Sequence, residues 1–239
     1  MNCLPYAPDG GGPQTEDKYM VYSNITQKVD HFSDSSTATW IQRYQYNSKF
    51  YNASTGLVFL MIGGEGSISP PGDKWVRDES ITMMQWAKEF GAAAFQLEHR
   101  FYGPKENSPT GKQDVGSLKL LSIDQALEDI KDFINQMNAR YFSGTKTHWV
   151  TFGGSYPGSL SAFFRETYPE YTIGAMSSSS AVHVFVDYYA KVSSESPRFQ
   201  MDWYVTMNGG TVDCYPNSYK EFVRVYGDIS YSNSLLDDV

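Results

Sequence analysis

The chain is short of the residues that staple or metallate a fold. Cys3 and Cys214 are its two cysteines in 239 residues, and it has four histidines. Cysteines so far apart could pair, but a two-cysteine count fits a reducing compartment equally well. Without His or Cys clustered at ligand spacing, no metal is expected, and no cofactor motif occurs. Basic residues are scarce as well: 19 Lys and Arg face 27 Asp and Glu, giving a net charge of −8 and a pI near 5.0. That balance argues against nucleic acid or an anionic membrane surface as partner, since both are recognised by basic patches. No apolar run approaches the length that spans a bilayer. The opening MNCLPYAPDGGGPQ has no basic-then-apolar pattern, so no signal peptide is read there. Internal repeats and low-complexity blocks are also missing.

What remains is ordinary for a globular protein: 41% hydrophobic and 19% charged residues, in a length that suits one sizeable domain with a buried core. Two Asn-x-Ser/Thr triplets, at Asn24 and Asn52, are candidate glycosylation sites, although such triplets often arise by chance.

Hydrophobic patterning divides the chain into alternating elements. Residues 1–25 read as a leader, rich at first in Gly and Pro. ATWIQRYQYNSKFY contains a strand at residues 40–46, expected antiparallel to its neighbour. LVFLMI is a continuous apolar run of strand length, as befits a strand covered on both faces, and it ends in the glycine-rich GGEG of residues 63–66. DESITMMQWAKEFG has helical spacing at Ile81, Met84, Ala87 and Phe90, with Asp78 as the expected N-cap and Gly91 as the stop. AAAFQLEHR is a further buried strand. In the next helix Ser122 and Gln125 have capping-box spacing, and Ile123, Ala126, Leu127, Ile130, Phe133, Ile134 and Met137 form one apolar stripe. THWVTF is a strand, GSYPGSLSAFFRETYPE starts a helix and TIGAMSSSS returns as a strand. This alternation predicts a mostly parallel sheet with helices on both faces, whose chemistry sits at the carboxyl ends of the strands.

Three loops fall at those ends: GGEG, EHRFYG and GGSYPG. In TFGGSYPGSL, Ser155 stands between a strand and a helix, behind two glycines. That is nearly the G-x-S-x-G turn of a nucleophilic serine, with Pro157 in place of the second glycine. The residue after the serine supplies the first oxyanion donor, here the Tyr156 N–H. Proline at 157 removes only an N–H of the first helical turn, which has no intrahelical acceptor anyway, and Gly158 is expected to make room for its ring. The alternative is a Gly-Ser loop that merely caps a helix. GGEG is either a turn needing positive φ or the source of the second oxyanion N–H at Gly64, with Glu65 as a candidate substrate contact.

A base is harder to find. Glu98, His99 and Arg100 read as a buried, mutually paired structural cluster, and His99 precedes the serine, against the Ser, Asp, His order of nucleophile-elbow enzymes. His31 and His148 are weaker candidates. Downstream stands His183, with Asp187, Asp202, Asp213, Asp228, Asp237 and Asp238 as acids of no distinguishing context.

Taken in order, WIQRYQYNSKFY, IGGEG, EHRFYG, LLSIDQALEDI and FGGSYPGSLSAFFRETYPE resemble serine carboxypeptidase family S28 over roughly residues 27–189. The resemblance implies an α/β-hydrolase fold and a Ser-Asp-His mechanism. It implies peptide substrates cleaved after proline near a chain end, by carboxypeptidase or dipeptidyl peptidase action, and a secreted or lysosomal setting. It puts the nucleophile on Ser155, the oxyanion donor on Tyr156 and the glycine loop on residues 63–66. Residues 26–190 are then the N-terminal part of the hydrolase core. Residues 191–239 are expected to be a shortened remnant of the family's helical cap, or the start of its C-terminal segment. The triad Asp and His are expected to be missing from this chain. An esterase or lipase on the same fold, or a non-catalytic peptide-binding relative, are the alternatives.

Overall fold

The computed structural model describes residues 17–104 and 108–180. They form strands β1 (Met20–Lys28), β2 (Thr39–Asn47), β3 (Leu57–Ile62), β4 (Ala93–Leu97), β5 (His148–Gly154) and β6 (Gly174–Ser178). The helices are α1 (Lys74–Arg77), α2 (Thr82–Phe90), α3 (Ile123–Tyr141) and α4 (Tyr156–Thr167). One six-stranded sheet has the order β1-β2-β4-β3-β5-β6. β4, β3, β5 and β6 run parallel, whereas β2 is antiparallel to both β1 and β4. The sheet therefore begins at Met20, ahead of residue 26 where the core was expected to start.

The apolar run of β3 is explained by its two covered faces. Val58, Leu60 and Ile62 pack with Phe95, with Ile130, Phe133 and Met137 of α3, and with Leu160 and Phe164 of α4. Phe59 points the other way, into a cluster with Val76 of α1, Met83, Met84 and Ala87 of α2, and Ala94 and Phe152. Period-two alternation thus feeds two cores from a single strand. A mostly parallel sheet with helices on both faces is the α/β-hydrolase arrangement expected from the sequence.

The helix boundaries agree with the expected signals at some ends and differ at others. Gly91 ends α2 in the left-handed conformation, φ 70°. Asp78 does not cap α2. It closes α1, and its carboxylate accepts from the Ser80 N–H and hydroxyl at 2.9 and 2.7 Å, which delays the start of α2 to Thr82. Phe90, expected on the buried stripe, is half exposed, because Met83, Met84 and Ala87 already fill the sheet-facing side. Ser122 caps α3 through the Gln125 N–H at 3.3 Å. The Gln125 side chain does not return to Ser122; it donates to Asp30 and accepts from the His31 N–H. The α3 stripe is buried from Ala126 to Met137, but Ile123 remains exposed.

Candidate active site

Ser155 is the single residue between β5 and α4, and it carries φ 61° and ψ −129°. A side-chain-bearing residue rarely adopts such a backbone, so surrounding structure must hold it. The Ser155 N–H donates to the Ser178 carbonyl of β6 at 2.9 Å, and the Ser155 carbonyl accepts from Ser159 at 3.1 Å. The residue is exposed, and among the described residues no side chain hydrogen-bonds to its hydroxyl. The glycines around it are there for close approach. A Cβ on Gly153 would overlap the carbonyl of Pro157, and one on Gly158 would overlap the Ser180 hydroxyl and lie 2.9 Å from the Ser178 oxygen. The serine run thereby gains a role that its composition did not suggest. Ser177 donates to the Gly158 carbonyl at 2.8 Å, and small residues at the end of β6 let it lie against the turn.

The room needed by the Pro157 ring comes from elsewhere than expected. Gly158 is used by β6, and the ring packs instead on Gly64, where a Cβ would sit 2.7 Å from Pro157 Cγ. Nor does GGEG use positive φ at any of its glycines. Gly63 is required because a Cβ would overlap the Leu97 carbonyl and lie 3.0 Å from the His99 nitrogen. Loop and serine turn are therefore fitted to each other through one glycine and one proline. Gly64→Ala is expected to destabilise the chain by about 1–3 kcal/mol, as overpacking does. Adding Pro157→Gly should restore more than half of the loss in urea unfolding, and simple additivity of the two changes would contradict the fit.

Tyr156 heads α4, so its N–H has no intrahelical acceptor. Its hydroxyl lies 3.0 Å from His99 Nε2, and burial, with negative potential from Tyr102 and Glu65, pushes its pKa up to about 12. His99 Nδ1 is 2.7 Å from the Arg100 carbonyl, which can only accept. Nδ1 therefore carries the proton and Nε2 accepts from Tyr156. Burial of the imidazole holds its pKa below the ordinary value, favouring this neutral form. His99 thus faces Tyr156, not the Ser155 hydroxyl. Its neighbours are buried, but they do not pair with each other as expected: Glu98 pairs with Arg43 of β2, and Arg100 with Asp129 of α3. Both are cross-element pairs that strand order brings together.

Sequence reasoning missed Arg43. Its Nε donates to Glu98 Oε2 at 2.6 Å, while its Nη1 and Nη2 reach the hydroxyls of Ser69 and Ser67 at 3.1 and 2.8 Å. Glu98 Oε1 also accepts from the Ile68 N–H at 3.1 Å. The pair anchors the segment that follows GGEG. Its one available signal was Glu98 itself, a carboxylate at the end of a buried strand that calls for a cation.

The remaining candidates are dispersed. Glu65 is exposed on the glycine loop. Asn24 is half-buried in β1, whereas Asn52 is exposed, its Oδ1 accepting from the Ser54 N–H and hydroxyl at 3.0 and 2.8 Å. His31 is buried against Asp129 at 2.8 Å, and His148 stands at the opposite end of β5 from Ser155. His183, Asp187, Asp202, Asp213, Asp228, Asp237, Asp238, Cys3 and Cys214 lie outside the described residues. Among the described residues, no group of three or more His, Cys, Asp or Glu side chains could hold a metal ion, and no helix is long and apolar enough to cross a membrane.

Several known proteins are similar to this chain in sequence. A candidate serine protease of Caenorhabditis elegans, F56F10.1, is 46% identical over 184 residues, which are 77% of this chain and 33% of that protein. The thymus-specific serine protease of Mus musculus is 34% identical over 166 residues, 70% of this chain and 31% of its own length. Lysosomal Pro-X carboxypeptidase of Bos taurus is 33% identical over 166 residues, 68% of this chain and 32% of its own. The chain spans about a third of the length of the curated relatives it matches. Among solved structures, the esterase Pf2001 of Pyrococcus furiosus covers 90% of this chain and 74% of its own at a TM-score of 0.48 and 11% identity. The sequence profile of serine carboxypeptidase S28 matches residues 27–218, and the chain belongs to that family.

Proposed function

We propose that this chain carries the nucleophile and oxyanion half of a serine exopeptidase acting on proline-containing peptides. The observation that carries the reading is the backbone of Ser155, whose φ of 61° between β5 and α4 lifts an exposed hydroxyl above a helix N-terminus. Ser155 Oγ bonds to the scissile carbonyl carbon, and the carbonyl electron pair moves to oxygen. The N–H groups of Tyr156 and Gly64 receive that oxyanion. The C–N bond then breaks, the serine proton passes through a base to the leaving amine, and water hydrolyses the acyl-enzyme. The imidazoles of His31 and His99 are committed to Asp129 and Tyr156, so the triad's base and acid are assigned outside the described residues.

Kinship with a Pro-X carboxypeptidase supports cleavage after proline near a peptide terminus, and the exposure of Glu65 on the glycine loop supports a substrate contact there. The same kinship supports a secreted or lysosomal setting, in which exposed Asn52 is a better glycan acceptor than half-buried Asn24.

The test is labelling of the purified chain with a fluorophosphonate probe. With no base among the described residues, modification is expected to be slow, but it should fall at Ser155 and vanish in Ser155→Ala, while turnover of Pro-containing peptides by the chain alone stays poor. A folded chain that takes no label at Ser155 even at high probe concentration and long exposure would falsify the reading. Rapid peptide hydrolysis would move the base into this chain, and activity confined to short acyl esters would favour an esterase.

A further inference from the structure

We infer that His99 and the Tyr156 hydroxyl form a positioning tether that holds the oxyanion donor in place; the inference rests on the reading of Ser155 as nucleophile. Tyr156 is unusual in facing both ways. Its backbone N–H lies at the head of α4, beside the serine, and its side chain reaches back to the end of β4. His99, which it meets there, is a rigid post. The imidazole is buried, its Nδ1 is bound to the Arg100 carbonyl, and the ring of Tyr102 stands edge-on at 5.2 Å. Arg100 in turn is fully buried. Its guanidinium donates to both oxygens of Asp129 at 2.7 and 2.9 Å and to the Leu120 carbonyl at 2.9 Å. Turning the His99 ring would therefore break a hydrogen bond on each side of it.

The turn is held from three sides. β6 holds Ser155 through the Ser178 carbonyl, the glycine loop meets Pro157, and β4 reaches Tyr156 through His99. The third contact acts on Tyr156, one of the two residues whose N–H must point at the developing charge. A fixed Tyr156 side chain restricts rotation of its peptide plane, so the donor stays oriented without reorganisation during reaction. The groups facing this pair are Glu65, Tyr102, Arg100 and Asp129.

The rate of fluorophosphonate labelling reads the tether directly, because the probe's phosphonyl oxygen takes the oxyanion position. Tyr156→Phe keeps the N–H and the ring and removes only the hydroxyl; the rate is expected to fall about tenfold. His99→Asn, which can still donate to the Arg100 carbonyl, should fall by about the same factor. The double variant should be no slower than either single one, since both remove the same contact. His99→Gln presents an acceptor near the Nε2 position and should recover to within about threefold of wild type. Thermal midpoints are measured alongside, because a merely structural role would lower stability without this pattern of rates. ¹⁵N spectra of the imidazole should show the Nδ1–H tautomer of His99 with Nε2 perturbed by Tyr156→Phe, a readout that needs no activity. Unchanged rates in Tyr156→Phe, multiplied losses in the double variant, or an Nε2–H tautomer would overturn the tether and leave Ser155 standing. Absence of any labelling in the folded wild type would instead bring down the nucleophile reading, and the tether with it.

Discussion

Arg43→Met is expected to destabilise the chain by about 3–5 kcal/mol in urea unfolding at neutral pH, the usual cost of breaking one side of a buried ion pair. The side chains of Arg43 and Glu98 are 1% and 3% exposed, so neither charge has water to turn to. Without the guanidinium, the Glu98 carboxylate keeps only the Ile68 N–H and a 3.4 Å contact with the Ser67 hydroxyl. The loss comes mainly from that stranded charge, and a second variant separates this from lost packing. Arg43→Met with Glu98→Gln removes both charges and retains an acceptor for Ile68, and it should regain about half of the lost stability. A single-variant loss under about 1 kcal/mol would mean that the pair is hydrated, contrary to its burial. The consequence for function is local. Ser67, Ile68 and Ser69 follow GGEG directly, so loosening their anchor frees the loop that carries Gly64.

Gly153→Ala is expected to cost about 3 kcal/mol or more, the upper end of overpacking effects. The added Cβ would overlap the Pro157 carbonyl and come within 2.6 Å of the Gly158 nitrogen. Both obstacles are backbone in the first turn of α4, and neither can rotate away. The strand and helix would have to separate, disturbing Ser155 between them. Gly154→Ala, one residue on, is the matched control. A Cβ there meets nothing within 4 Å, and its φ is not positive, so a change within about 0.5 kcal/mol is expected. Equal stabilities for the two alanine variants in chemical unfolding would refute this account of the turn.

Those two glycines also mark where sequence reasoning stopped. In TFGGSYPGSL they look alike, as a pair of small residues before a candidate nucleophile. One is demanded by the approach of a helix and the other is free, and the difference depends on where α4 lies over β5. The proline raised the same difficulty. Its tolerance at the start of a helix could be argued from its ring and its missing N–H, both local properties. Its packing partner, Gly64, lies on another loop and becomes adjacent only because β3 pairs with β5.

The sequence alone determined the alternation of strands and helices, the two-faced burial of LVFLMI, the stop at Gly91, the cap at Ser122 and the sharp turn at Ser155. Each of these depends on residues within a few positions of one another, where periodicity, capping and backbone sterics act. Only the tertiary structure decided that Arg43 answers Glu98, that Asp129 answers Arg100, that Gly64 receives Pro157 and that His99 holds Tyr156. These contacts join segments tens of residues apart, and the order β2-β4-β3-β5 brings the three loops together at the carboxyl ends of neighbouring strands. A buried charge or a crowded ring announces that it needs a partner, but the sheet chooses which one.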